Sequence, residues 1–189
     1  MAAVQIGNIQ LIRLASGETI IARPLTILGL DPGLAALGWG VLHVTGNRLA
    51  FVACGTIATS AAEGLALRLK ALHEGLCEVL GTHAPDAAAV EETFVNANPR
   101  AAIRLAQARA IALLAPAQAG VSVTEYAPNL VKKSVTGAGH AGKEQIRAMI
   151  AVLLPGSDPR TEHAADALAV AITHAHLGAT AARVAARVR

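Results

Sequence analysis

The chain has 189 residues, of which 53% are hydrophobic and 2% aromatic, and a formal net charge of +3. That length suits one domain with a core able to stand alone, and that apolar content excludes a disordered or fibrous chain. The charge is small but uneven. Seven basic residues between Arg100 and Arg147 are opposed only by Glu125 and Glu144, a bias compatible with a polyanionic partner or with solvated helix faces. Cys54 and Cys77 make neither a metal-like pair nor a disulfide framework, so both are expected to be reduced and buried. No signal-peptide pattern is present, and residues such as Asp86 and Glu91 interrupt the apolar runs. A soluble, cytoplasmic protein without a membrane partner is expected.

In chain order, residues 8–25 alternate and turn at Ser16-Gly17, which suggests a short hairpin or a flexible extension closed by Pro24. "LTILGLDPG" is a buried strand ended by the turn Asp31-Pro32-Gly33. "GWGVLHVT" and "LAFVACGTIAT" follow as strands joined at Gly46-Asn47, giving a meander. Leu65, Leu69, Leu72, Leu76 and Leu80 recur at helical spacing and predict a helix over 64–81. "PDAAAVEE" reads as a short strand ending in two glutamates, and 99–119 as a helix. "VSVTEY" is the fifth strand of the domain, and Pro128 opens a short helix in its favoured first-turn position. After the glycine-rich "TGAGHAG" come helices over 143–154 and 161–176, separated by "PGSDP". A basic stretch, 179–189, ends the chain as a helical end or tail. The order predicts an α/β domain, a mixed five-stranded sheet flanked by helices.

Three acidic residues stand out by placement: Asp31 at the end of the first sheet strand, Glu91 at the end of the fourth, and Asp166 near the start of the last helix. Strand ends are where open α/β sheets build their sites. If the first and fourth strands are neighbours, Asp31 and Glu91 meet at one edge, and a helix crossing there delivers Asp166. Three carboxylates gathered without a cation would repel one another and raise each other's pKa. Oxygen donors of this kind suit Mg²⁺ or Mn²⁺, and two such ions about 4 Å apart can activate a water against a phosphodiester. The plain alternative is a turn cap, a solvated glutamate and a helix cap. His163 lies three residues before Asp166 on the same helix face. It could ligate metal, act as base or proton shuttle, or simply be exposed. His174 and His176 are read as late-helix residues away from the site.

Together, "ILGLDPGLAALGWGVL", "AVEETF", "LAQARA", "EYAPNLVKKSVTGAGHAGKEQI" and "HAADALAVAITHAH" resemble the RuvC family of bacterial crossover-junction endonucleases, the Holliday junction resolvases. The resemblance runs in order from Leu25 to Leu177. It implies a ribonuclease H-like fold over 25–178, with 1–24 as an N-terminal extension and 179–189 as a basic tail. It also implies a homodimer that makes paired symmetric nicks in four-way junction DNA during recombination and repair, aided by Mg²⁺ or Mn²⁺, with two ions per site. The RuvA and RuvB branch-migration proteins are the implied partners. Asp31, Glu91 and Asp166 match the family's catalytic and metal-binding carboxylates. His163 joins them in a position where the family often has another aspartate. Phe94 matches an aromatic that reaches unstacked junction bases. Lys132 and Lys143 match basic DNA contacts, with Lys133, Arg100 and Arg104 as further candidates. The helix over 99–119, with its small residues, is the expected dimer face. Two other readings are a junction-binding protein without catalysis and an actin-like ATPase or sugar kinase. The intact carboxylate trio argues against the first. The lack of a second "DxG" strand-turn argues against the second.

Overall fold

The structure is a computed structural model that describes residues 3–6, 9–13, 19–22, 24–93 and 98–187, with side chains over 24–93 and 98–178. Near the N-terminus, β1 (Ala3–Ile6), β2 (Ile9–Arg13) and β3 (Thr19–Ala22) pair antiparallel in a small sheet. The expected hairpin is therefore the β2–β3 pair, while its Ser16-Gly17 turn lies outside the described residues.

The main sheet holds β4 (Leu25–Asp31), β5 (Ala36–Thr45), β6 (Arg48–Ala58), β7 (Ala87–Glu91) and β8 (Ser122–Tyr126), in the spatial order β6-β5-β4-β7-β8. The first three strands form the meander read from the sequence. β7 joins β4 in parallel and β8 joins β7 in parallel, each after a helical crossover, which parallel neighbours require. Those crossovers are α1 (Leu65–His83) and α2 (Pro99–Gln118). Asn98 caps α2 by accepting hydrogen bonds from the backbone N–H groups of Arg100 and Ala101. Then follow α3 (Pro128–Thr136), α4 (Lys143–Leu153) and α5 (Glu162–Arg187). α5 is longer than its sequence pattern suggested and takes residues 179–187 into the same helix.

The two faces of the sheet carry separate cores. Leu28, Leu30, Ala88 and Val90 point toward α1 and α2. Ile27 and Ala89 point the other way, toward α5, α3 and α4. Strand periodicity of two then puts Asp31 and Glu91 on the α5 face. Their relative height is pinned at the other end of the strands. Asp86 brackets Thr26, its Oδ2 accepting from Thr26 N at 2.8 Å and its own N–H donating to Thr26 O at 2.8 Å. From that clamp the register Ile27↔Ala87 runs to Leu30↔Val90 and brings Asp31 level with Glu91.

α5 lies unusually close to this face. A Cβ at Gly29 would sit 2.6 Å from Ala171 N and within contact of Ala167 O. One at Gly38 would overlap the backbone carbonyl of His163, and one at Gly40 would come 3.0 Å from Leu168 N. Glycine in a strand interior often marks such an approach. Between Ala164 and Ile172 every residue except Asp166 is buried, because α3 and α4 cover the outer side of the helix.

Cys77 is exposed and Cys54 half-buried, both as free thiols. The expectation of two buried cysteines is corrected: Cys77 lies on the outer side of α1, whose core-facing residues are Leu72, Leu76, Val79 and Leu80.

Replacing Gly38 by alanine is expected to cost more than about 3 kcal/mol, because the clash is with backbone rather than a movable side chain. Gly81→Ala, in open space within α1, is expected to gain about 0.5–1 kcal/mol. Urea denaturation of the two variants checks both signs.

Candidate active site

Asp31 ends β4 and Glu91 ends the neighbouring parallel β7, while Asp166 and His163 descend from the first turns of α5. His163 Nδ1 donates to Asp31 Oδ2 at 2.6 Å. The Asp31 side chain keeps 13% of its exposure and His163 keeps 46%. Because Nδ1 is committed to Asp31, Nε2 is the ring nitrogen left over, an acceptor in the neutral imidazole. Glu91 and Asp166 line one cavity of about 340 Å³ together with Lys132, Lys143 and Ile146.

The three carboxylates share a field. Burial pushes the Glu91 carboxyl up to about 7, with Asp31 and then Asp166 adding repulsion that Lys132 only partly offsets. Asp166 is raised by burial and by the charge of Asp31. Asp31 is also raised, since burial outweighs the hydrogen bond and charge of His163. In this arrangement no three His, Cys, Asp or Glu side chains among the described residues close around a single ion-sized point. What they do form is a desolvated, mutually repelling set of carboxylate oxygens. That donor chemistry fits a hard divalent cation, which supplies the missing countercharge.

The basic candidates divide. Lys132 and Lys143 border the carboxylate cavity, and Lys143 also pairs with Glu162 across 2.5 Å in an exposed, salt-sensitive contact. Lys133 is exposed on α3 and does not line that cavity. Arg100 and Arg104 lie in a different cavity, beside the turn after β4. Phe94 falls outside the described residues. His174 and His176 stay away from the carboxylates, as expected, but in mid-helix rather than at the helix end. His174 Nδ1 meets the Tyr126 hydroxyl at 3.0 Å and His176 meets Ser134. Burial holds the His174 imidazole below its ordinary range. Sequence reasoning missed Arg68, which the fold carries to the same turn; a lone arginine in an amphipathic helix gives no signal of that.

The family described as "Crossover junction endodeoxyribonuclease RuvC" matches this chain over residues 27–174. The chain belongs to the RuvC family. A relative from Azorhizobium caulinodans with that name is 63% identical over 152 residues, covering 80% of this chain and 90% of its own. One from Parvibaculum lavamentivorans is 59% identical over 162 residues, covering 86% and 93%. Among solved structures, RuvC of Thermus thermophilus in complex with Holliday junction substrate superposes with a TM-score of 0.78 at 36% identity, covering 83% of this chain and 96% of that one. The yeast mitochondrial Holliday junction resolvase Ydc2 has the same fold, with a TM-score of 0.61 at 10% identity over 84% of this chain and 81% of its own. The fold is thus ribonuclease H-like, as the resemblance implied. No helix among the described residues is long and apolar enough to cross a membrane.

A raised acid pKa means that the folded state keeps a proton the unfolded state has released. Glu91 therefore weakens stability as pH rises from about 4.5 to about 7. At about 1.4 kcal/mol per pH unit the full effect is at most about 3–4 kcal/mol. With chelator present, Glu91→Gln is expected to raise Tm at pH 8 by about 3–8 °C and to leave it unchanged at pH 4. Differential scanning calorimetry at the two pH values measures this.

Proposed function

We propose that this chain is a Holliday junction resolving endonuclease whose cleavage site is built by Asp31, Glu91, Asp166 and His163. The observation that carries the reading is the β4–β7 register with α5 crossing it. It gathers acidic residues distant in sequence at one sheet edge, in a fold matched by a RuvC seen with junction substrate. The family's chemistry is metal-dependent hydrolysis, with Mg²⁺ or Mn²⁺ as the ion and two per site as the number favoured by the three carboxylates. When bound, such ions polarise the phosphodiester and lower the pKa of water.

The residues' own contributions follow from their placement. Asp31, Glu91 and Asp166 would hold the ions and set where the scissile phosphate rests. Asp31 fixes the ring of His163 through Nδ1, so that Nε2 is presented to accept a proton from the attacking water. Lys132 and Lys143, at the border of the cleft, would meet the flanking phosphates. Lys133, Arg100 and Arg104 extend the basic surface, and Phe94 would stack on an unpaired base.

We further place the nuclease domain at 25–178, with 1–24 as an extension and 179–189 as a basic C-terminal segment. Two active sites, one for each symmetric strand, call for a C2 pair. The supporting feature is an apolar stripe on α2. Ile103 is 61% exposed and Leu114 48%, with exposed Ala106, Ala110 and Ala117 at helical spacing on the same face. RuvA and RuvB are the proposed partners in the cytoplasm.

On a synthetic four-way junction, Asp31→Asn is expected to keep binding and to lose at least about a thousand-fold in cleavage rate, since charge neutralisation and water activation both need the carboxylate. Full cleavage by this variant would end the assignment. Leu114→Arg is expected to convert dimer to monomer in sedimentation velocity and to abolish paired nicking.

A further inference from the structure

A second charged cavity, of about 370 Å³, lies on the α1–α2 face of the sheet, and none of the described residues that line it carries a carboxylate. Its walls include Leu34 from the turn after β4, Arg68 from α1, and Asn98, Arg100 and Arg104 from the start of α2. Local electrostatics oppose this arrangement. Arg100 and Arg104 are like charges one helical turn apart, which repel. They also sit in the first turns of α2, where the macrodipole disfavours cations, and the first turn holds no acidic residue to offset them. Neither guanidinium has a carboxylate partner among the described residues. What relieves all three terms together is an anion in the cavity.

Arg68 differs from the other two because it is already anchored. Its Nε donates to Thr59 Oγ1 at 2.8 Å and its Nη2 donates to Leu34 O at 3.2 Å. Thr59 Oγ1 donates to that same carbonyl at 2.6 Å, and Thr59 N donates to Ala35 O at 3.0 Å. The turn that begins at Asp31 is therefore held three residues later by Arg68 and Thr59. A guanidinium has five N–H donors, in a planar fork suited to phosphate oxygens. Arg68 can thus hold the turn and still offer donors to the cavity it lines.

We propose that Arg68, Arg100 and Arg104 form a seat for one DNA backbone phosphate, separate from the carboxylate cleft. Arg68 ties the occupied seat to the turn that carries Asp31. Arg68 is a positioning residue here, acting on Asp31 through Leu34. The seat fixes the strand on the far side of the Pro32-Gly33 turn, so one phosphate is held while another meets the carboxylates. This rests on the nuclease reading above, and deepens it by naming a second contact for the same strand.

The test uses the full chain and a synthetic four-way junction. Binding is measured in chelator across a salt series, and single-turnover cleavage in Mg²⁺ at saturating enzyme. The double variant Arg100→Ala/Arg104→Ala is expected to bind about ten-fold more weakly at 0.15 M salt and to lower the salt slope by about one ion. Arg68→Lys keeps the charge but not the fork. It is expected to keep the salt slope and to cleave at least about ten-fold more slowly at saturation, with an unchanged melting temperature confirming its fold. A neutral methylphosphonate scanned along the strand should weaken wild-type binding at one position and leave the double variant indifferent there. An unchanged affinity and slope in the double variant, with wild-type cleavage intact, overturns the seat alone. Wild-type cleavage speed in Arg68→Lys overturns the link to Asp31. Failure of the wild-type chain to cleave the junction overturns the nuclease reading itself.

Discussion

The site depends on how closely α5 lies against the strands beneath it. Gly29, Gly38 and Gly40 remove the side chains that would otherwise hold the helix further from the sheet. The backbone of α5 then reaches the backbone of β4 and β5. His163 can touch Asp31 only because its own carbonyl rests where a Gly38 Cβ would be. Wider spacing would leave Asp166 and His163 above the cleft rather than in it. The burial of α5 on both sides makes the approach rigid, since α3 and α4 press it onto the sheet.

That rigidity has an electrostatic cost. Packing Ala164–Ile172 into a dry layer strips water from Asp166, and the parallel register strips it from Glu91. Each carboxylate then meets the fields of the others. A fold of marginal stability tolerates such a set where function requires it, and a bound cation converts the repulsion into affinity. Arg68, Arg100 and Arg104 present the opposite sign of the same problem on the other face of the sheet, where these positive groups have no carboxylate ion-pair partner among the described residues. The turn Asp31-Pro32-Gly33-Leu34 lies between the two, its first residue in the acidic site and its last at the edge of the basic cavity.

Much of this was legible in the chain. The continuous apolar run "LTILGLD", the leucine spacing of α1 and Pro128 at a first turn marked the elements correctly, because burial patterns and backbone restrictions act locally. Asp31, Glu91 and Asp166 stood out because acidic groups closing apolar segments are costly unless used. Their union depended on strands 60 residues apart becoming neighbours, and the Asp86–Thr26 clamp that sets the register is likewise a contact between distant residues. The exposure of Cys77 could not be read, since a small thiol fits either side of an amphipathic helix.

The sequence by itself determined which residues are apolar, where the chain turns, and which acidic and basic groups are available, because these are properties of neighbours along the chain. Tertiary structure alone decided that His163 spends its Nδ1 on Asp31, that Lys143 pairs with Glu162, and that three arginines from two helices surround one cavity. Such pairings come from the depth of helix–sheet packing and the rotation of each helix. A shift of about one residue in either would send the same side chains to solvent, and one-dimensional periodicity does not encode it.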